Sequence, residues 1–230
     1  MKILITGICG FAGTSIAKTL LQSHSNLQIF GLDNFSRKGS ELNTSQLTDI
    51  GIDLIRGDIR SQSDIDALPK ADWVIDCAAN PSVLAGLDGQ SSSRQLMEHN
   101  LIGTINLLEY CKRNKPGLIL LSTSRVYSAS ELASLPVEST DQRFELSKSN
   151  VAGISDSGIS EDFPTSAPLS LYGASKLASE TLILEYGESF GFPIWINRCG
   201  VLAGAGQFGK ADQGIFSFWI HSFRENKHLK

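Results

Sequence analysis

Tyr172 and Lys176 stand four residues apart, a spacing that puts both on one face of any helix carrying them. A free phenol keeps its proton up to a pKa of about 10. A neighbouring ammonium favours the phenolate and pulls that value down. A phenolate held this way is a base for the proton of an alcohol. Thr123, at the end of an apolar run that starts at Gly117, can hydrogen-bond the same alcohol or the carbonyl that replaces it. Oxidation of an alcohol also needs something to accept hydride. A Tyr-x3-Lys pair is common on helix surfaces, so the catalytic reading depends on whether the chain provides a site for such an acceptor.

The stretch Thr6-Gly7-Ile8-Cys9-Gly10-Phe11-Ala12-Gly13 provides one. It follows the apolar run Ile3–Ile5, read as a buried strand, and precedes Ser15–Leu21, where Ile16, Leu20 and Leu21 share a helical face. A glycine pattern is informative only in this strand–turn–helix setting. Gly7 and Gly10 let the backbone turn tightly and approach a pyrophosphate, and Gly13 lets the helix press on the sheet. The helix amino-terminus offers free N–H groups to phosphates. Leu27–Leu32 reads as a second strand, and Asp33 at its end lies about 20 residues past the last glycine, where an acid accepts the ribose hydroxyls of NAD. Arg37 and Lys38 follow in a polar loop and could serve a 2′-phosphate, but Asp33 would repel one, so NAD is expected over NADP.

The elements that must position these groups can be taken in order. Ile52–Arg56, Trp73–Cys77, Gly117–Ser122 and Ile194–Asn197 read as further strands, with helices over Ser91–Asn114, Tyr172–Phe190 and Ile215–Phe223. The alternation predicts an α/β fold, a doubly wound parallel sheet of the Rossmann-like kind. Asp58 either accepts from an adenine or caps the helix beginning near Ser61. Ala78 and Ala79 permit close approach to a ribose and pyrophosphate. Asn100 falls on an inward helical face and needs partners, from neighbouring loops or from the cofactor. The polar stretch 128–170 is too long for a plain connection and reads as an insertion, with a small hairpin around Val137, Phe144 and Leu146. Phe216, Trp219 and Ile220 are expected to face the core or a partner surface.

Composition narrows the setting. The chain has 230 residues, 41% hydrophobic and 19% charged, enough for one large domain. A net charge of -4 gives no footprint for nucleic acid or an anionic membrane. Met1 and Lys2 lead straight into a strand, which reads as no signal peptide, and no apolar run is long enough to cross a bilayer. Cys9, Cys77, Cys111 and Cys199 are dispersed, as expected of free thiols in a cytoplasmic protein. The four histidines do not cluster at ligand spacing, so no metal is expected.

The chain resembles the extended short-chain dehydrogenase/reductase family. The resemblance is carried by Thr6-Gly7-x-x-Gly10-Phe11-x-Gly13, Asp33-Asn34, Gly57-Asp58-Ile59, Asn100 with Gly103-Thr104-x-Asn106-Leu107-Leu108-Glu109, Thr123-x-x-Val126-Tyr127 and Tyr172-Gly173-x-Ser175-Lys176. Within that family it is most similar to the CDP-paratose 2-epimerase (tyvelose epimerase) group, through Asp33–Gly39 and Gln207–Gly214. The resemblance implies tightly held NAD, a nucleotide-diphosphate sugar as substrate, a homodimer, and epimerisation by hydride removal and return. It implies Thr123, Tyr172 and Lys176 as catalytic. It assigns Gly7, Gly10, Phe11, Ala12, Gly13, Asp33, Asn34, Arg37, Asp58, Ile59, Cys77, Ala78, Ala79, Asn100, Tyr172, Lys176 and Cys199 to the cofactor, and Ser82, Thr123, Arg198, Gln207 and Gln213 to the substrate.

It further implies an NAD-binding domain over 1–200 with its insertion near 128–170, and a substrate lobe that 201–230 begins but leaves incomplete. Ile8 replaces a usual glycine, Asp76 a frequent histidine, and Val201 a frequent substrate-binding asparagine. Related 4,6-dehydratases carry acids directly after the Thr123 position. Ser124 and Arg125 stand there in this chain, which argues against dehydration. Another nucleotide-sugar epimerase, a 4,6-dehydratase or a non-catalytic NAD-binding module are the alternatives.

Overall fold

The computed structural model describes residues 1–87, 92–147, 151–155, 157–209 and 213–228. In chain order the elements are β1 (Lys2–Thr6), α1 (Phe11–Ser23), β2 (Gln28–Asp33), α2 (Thr44–Asp49), β3 (Asp53–Arg56), α3 (Gln62–Asp66), β4 (Trp73–Asp76), α4 (Ser93–Met97), α5 (Gly103–Asn114) and β5 (Gly117–Thr123). They continue as α6 (Ala129–Ser134), β6 (Val137–Ser139), β7 (Phe144–Leu146), β8 (Ile154–Ser155), β9 (Gly158–Ile159), α7 (Leu171–Phe190), β10 (Ile194–Cys199) and α8 (Ile215–Arg224).

Six strands form one parallel sheet in the order β10-β5-β4-β1-β2-β3. The expected doubly wound sheet is therefore present. Its strand order turns back at β1, which has β2 on one side and β4 on the other. Ligands in such sheets sit beyond the strands' carboxyl ends at that point. The inner strands β1, β4 and β5 are largely apolar on both faces because both are covered, whereas the edge strands β3 and β10 keep exposed residues such as Trp195. Ile3, Ile5, Ile29 and Ile75 pack on one side with Ala17 of α1 and Leu47 of α2. Leu4, Phe30, Leu32 and Val74 pack on the other with Leu107 of α5 and Ile183 of α7. Tyr110 is buried within this second layer, and its hydroxyl donates to Pro69 O (2.8 Å) and accepts from Ala71 N (2.9 Å).

One expectation needs correction. The helix expected over Ser91–Asn114 starts at Ser93, behind a capping box made by Ser92 and Gln95, and a π-helical turn over Glu98–Ile102 interrupts it before α5. Ser91 itself lies outside the described residues. Of the two alternatives for Phe216, Trp219 and Ile220 of α8, the core is excluded, because all three are exposed. Residues 128–170 contain α6 and the antiparallel pairs β6–β7 and β8–β9, with Val137 opposite Leu146 in the first. Among the described residues no helix is long and apolar enough to cross a membrane.

Candidate active site

A cavity of about 620 Å³ opens at the carboxyl ends of the strands. It runs from Asp33 and Asn34 past the glycine corner to Thr123, Tyr172 and Cys199. That volume is ample for a dinucleotide-sized ligand.

The glycine corner is built by close approach. Gly7 has φ +62, and a Cβ there would lie 3.0 Å from the Ala78 backbone. A Cβ on Gly13 would come within 2.4 Å of the Gly7 carbonyl oxygen. A side chain at Gly13 would collide with the corner itself, and one at Gly7 would be strained by its φ and would crowd the Ala78 backbone. The amino-terminus of α1 has no side-chain cap and no acid in its first turn, so its N–H groups remain for an anion. Ile8, the departure from the usual glycine, does not obstruct this corner. It is fully buried, and Gly31 of β2 makes room for it: a Cβ on Gly31 would meet the Ile8 side chain at 2.3 Å.

Asp33 ends β2 with both carboxylate oxygens engaged, Oδ2 by Cys9 N (2.9 Å) and Oδ1 by Phe35 N (2.8 Å). Burial pushes its carboxyl up, and these backbone donors oppose the rise. Arg37, nearby, donates from Nη2 to Phe208 O (2.6 Å), and a Cβ on Gly39 would touch the Phe208 ring at 3.0 Å. The segments Asp33–Gly39 and Gln207–Gly214, which carried the narrower resemblance, are therefore in contact; Lys210, Ala211 and Asp212 lie outside the described residues. Gln207 and Gln213 both line the cavity. Gln213 Oε1 is buried without a hydrogen-bond partner, an acceptor of the kind a ligand hydroxyl would satisfy.

At the other end, Thr123 closes β5 and Tyr172 sits in the first turn of α7, which Ser170 caps by accepting from Gly173 N (3.0 Å). Both line the cavity. Burial pushes the Tyr172 phenol up, while the neighbouring Thr123 hydroxyl and the Arg125 charge pull it down. The expectation that Lys176 lowers this phenol is thus not met in the free protein: desolvation dominates, and the cation acting on the phenol is Arg125. Lys176 is 2% exposed and lies behind the wall. Burial lowers its affinity for a proton, opposed first by the charge of Asp76.

Several expected site residues are placed elsewhere. Arg198, expected at the substrate, donates to Glu180 Oε2 (2.9 Å) and to Glu161 O (3.0 Å) and stacks over the Tyr127 ring at 5.3 Å. Glu180 also accepts from the Ser122 hydroxyl. Ser82 is buried off the cavity. Asn100, carried on the π-helical turn, donates to Asn80 O (3.1 Å) and Ser175 Oγ (3.0 Å) and accepts from Asn80 N (2.8 Å). It ties the loop after β4 to the helix of Tyr172 from behind the wall.

Asp58 is likewise off this wall, and the helix cap that was one of its two alternatives belongs to Ser61. Asp58 instead accepts from Arg60 (2.7 Å) and Asn34 (2.9 Å), which hold its carboxyl well below the usual carboxylate range. A depressed carboxyl contributes stability that is present above its unfolded pKa and is lost as pH falls. Asp58→Asn should therefore cost about 1 kcal/mol at neutral pH, the scale of a largely solvated pair. That gap should close as pH falls from about 5 toward 2 in urea melts; a gap constant with pH would show that ionisation of Asp58 is not its source.

Asn80, His99 and Arg125 also line the wall and carry no site role in the sequence reading. All but His99 sit at or just beyond the ends of β4 and β5, where the strand-end rule could have found them. Glu180 was signalled by its place four residues after Lys176.

The model of the family described as "NAD dependent epimerase/dehydratase family" matches residues 3–230. The chain is 32% identical to CDP-paratose 2-epimerase of Salmonella typhi over 99% of its own length and 65% of that protein's. It is 27% identical to UDP-glucuronate 4-epimerase 1 of Arabidopsis thaliana, over 95% of its own length and 46% of that protein's. Among solved structures, it is similar to UDP-glucuronic acid 4-epimerase from Bacillus cereus in complex with NAD. That match has a TM-score of 0.73 at 30% identity and covers 100% of this chain and 65% of that one. The chain thus spans less than two thirds of the length of these proteins.

Proposed function

Since the chain belongs to the NAD dependent epimerase/dehydratase family, we propose that it binds NAD in the cavity and epimerises a sugar carried on a nucleoside diphosphate, as a CDP-paratose 2-epimerase does. The observation that carries this reading is the pairing of Thr123 with Tyr172 at one end of a cavity whose other end is a bare glycine corner.

The residues present fit the dinucleotide. Gly7, Gly10 and the uncapped start of α1 suit the pyrophosphate, and Asp33 suits the adenosine ribose. Arg37, already bonded to Phe208, is not set toward a 2′-phosphate. Bound there, NAD supplies a two-electron acceptor that takes hydride from a sugar carbon and gives it back. Tyr172 accepts the hydroxyl proton as hydride leaves and returns it afterwards. Thr123 holds the same oxygen, as alcohol and as ketone. Lys176, one turn further along α7 and buried behind the wall, would have to turn toward the cavity to reach the nicotinamide ribose, the role the resemblance assigns it. Return of the hydride to the opposite face of the sugar would invert the carbon with no net redox change.

Ser124 and Arg125, on the wall after Thr123, offer no acid for expelling water, so we favour epimerisation over 4,6-dehydration. The reading assigns 1–200 to the cofactor and 201–230 to the beginning of the substrate lobe, and takes the enzyme to be a cytoplasmic homodimer.

Denatured protein should release NAD and no NADP, and a panel of CDP-, UDP- and dTDP-sugars should contain one that is inverted without reduction of added NAD. Asp33→Ala should lower NAD affinity by about tenfold, the loss of one charge-assisted hydrogen-bonding group. Release of NAD with no sugar turned over would point instead to a non-catalytic binding module. Release of NADP would overturn the cofactor assignment.

A further inference from the structure

Arg125 is the charged residue on the catalytic end of the cavity wall, beside Thr123 and Tyr172. Its backbone is tightly held: its N–H donates to Thr123 Oγ (3.2 Å), and its carbonyl oxygen presses so closely on α7 that a Cβ on Gly173 would lie 2.2 Å away. Its guanidinium, by contrast, has no hydrogen bond, ion pair or ring contact among the described residues. It is close enough for its charge to act on the Tyr172 phenol. Arg37, the other arginine on the wall, is bonded to Phe208. A held backbone that presents an unpaired guanidinium to a cavity suits an anionic oxygen, which arginine can grip with two N–H groups.

We propose that Arg125 grips the sugar-linked phosphate of the substrate and thereby places the carbon next to the anomeric centre, C2, against Tyr172. This deepens the proposed function and rests on it. In a nucleotide sugar the diphosphate hangs on C1. C2 is bonded directly to C1, whereas C4 lies across the ring. A cation beside the catalytic phenol meets the phosphate when C2 is the reacting carbon and is left facing a neutral ring edge when C4 is. The step balances as before: the C2–H electron pair passes to the dinucleotide as hydride, the O2–H proton passes to the Tyr172 phenolate, and both return. Arginine stays protonated throughout, so Arg125 binds and orients without donating a proton.

The test uses the NAD-loaded chain, titrated by calorimetry with CDP and UDP and, separately, with CMP and UMP. Wild type should prefer the diphosphate of its base. Arg125→Gln should weaken that diphosphate by at least tenfold and leave the monophosphate within twofold. Arg125→Lys should recover part of the loss. Arg125 is exposed, so NAD content and melting temperature should not change. A diphosphate affinity that is equal in wild type and Arg125→Gln overturns the proposal while leaving the epimerase reading intact. A wild-type protein that holds NAD but binds neither diphosphate defeats both. Borodeuteride quenching of a turnover mixture provides a separate check: deuterium recovered at C2 supports the assignment, and deuterium at C4 overturns it.

Discussion

Tyr172→Phe is expected to lower turnover by about 10²- to 10⁴-fold, the range for losing a positioned acid–base group, with NAD still bound. Phenylalanine keeps the half-buried ring in its place at the start of α7, so the helix and the cavity wall should persist. What disappears is the oxygen that carries the proton. The fall should be in kcat, because the phenol works mainly as the alcohol becomes a ketone. The pH profile offers a second reading. Burial pushes the phenol up, so in the free protein the base form is scarce at neutral pH, and activity should rise on the alkaline side until the phenol is ionised. Thr123, Arg125 and the cationic nicotinamide each draw that limb toward neutrality. Steady-state kinetics over pH with measured NAD content would check this. Full activity in the variant would take Tyr172 out of the chemistry.

Glu180→Ala is expected to destabilise the fold by about 3–5 kcal/mol, the cost of leaving one member of a buried ion pair without its partner. For a chain of this size that corresponds to a melting temperature lower by roughly 6–20 °C. The Glu180 side chain is 5% exposed and that of Arg198 19%, so water cannot replace the lost partner cheaply. Three elements are affected together, since Glu180 on α7 receives both Ser122 of β5 and Arg198 of β10. Glu180→Gln keeps the shape and an acceptor for Ser122 and should recover part of the loss. Thermal melts of the three proteins decide the matter; an alanine variant that melts within about 2 °C of wild type would mean that Arg198 is resolvated and the pair is not effectively buried.

The parts of the site legible in the sequence obey local rules. A strand followed by glycines at set positions announces a turn in which backbone must approach backbone, and the distances around Gly7 and Gly13 show that constraint. Asp33 and Thr123 could be placed because a strand end is a position along the chain, and the parallel sheet brings all strand ends to one edge. Tyr172 could be placed because it opens a helix whose cap, Ser170, is two residues earlier. The Ile8 departure was visible, but its accommodation was not, because Gly31 belongs to another strand.

Tertiary structure alone decided how polar groups on the same faces were divided between ligand and protein. Arg198 lies near the end of strand β10 and Arg125 just beyond the end of β5, yet one is taken by Glu180 and the other is left facing the cavity. Asn100 could have met a cofactor, but Asn80 and Ser175 use its amide. Lys176 shares a helix with Tyr172, but packing buries it behind the cavity wall, where Asp76 is the first charge acting on it. The Arg37–Phe208 contact joins residues 171 apart in sequence. A hydrogen bond or ion pair depends on which groups are desolvated together, and that is set by the packing of distant segments, whereas a turn or a helical face is set by neighbours along the chain.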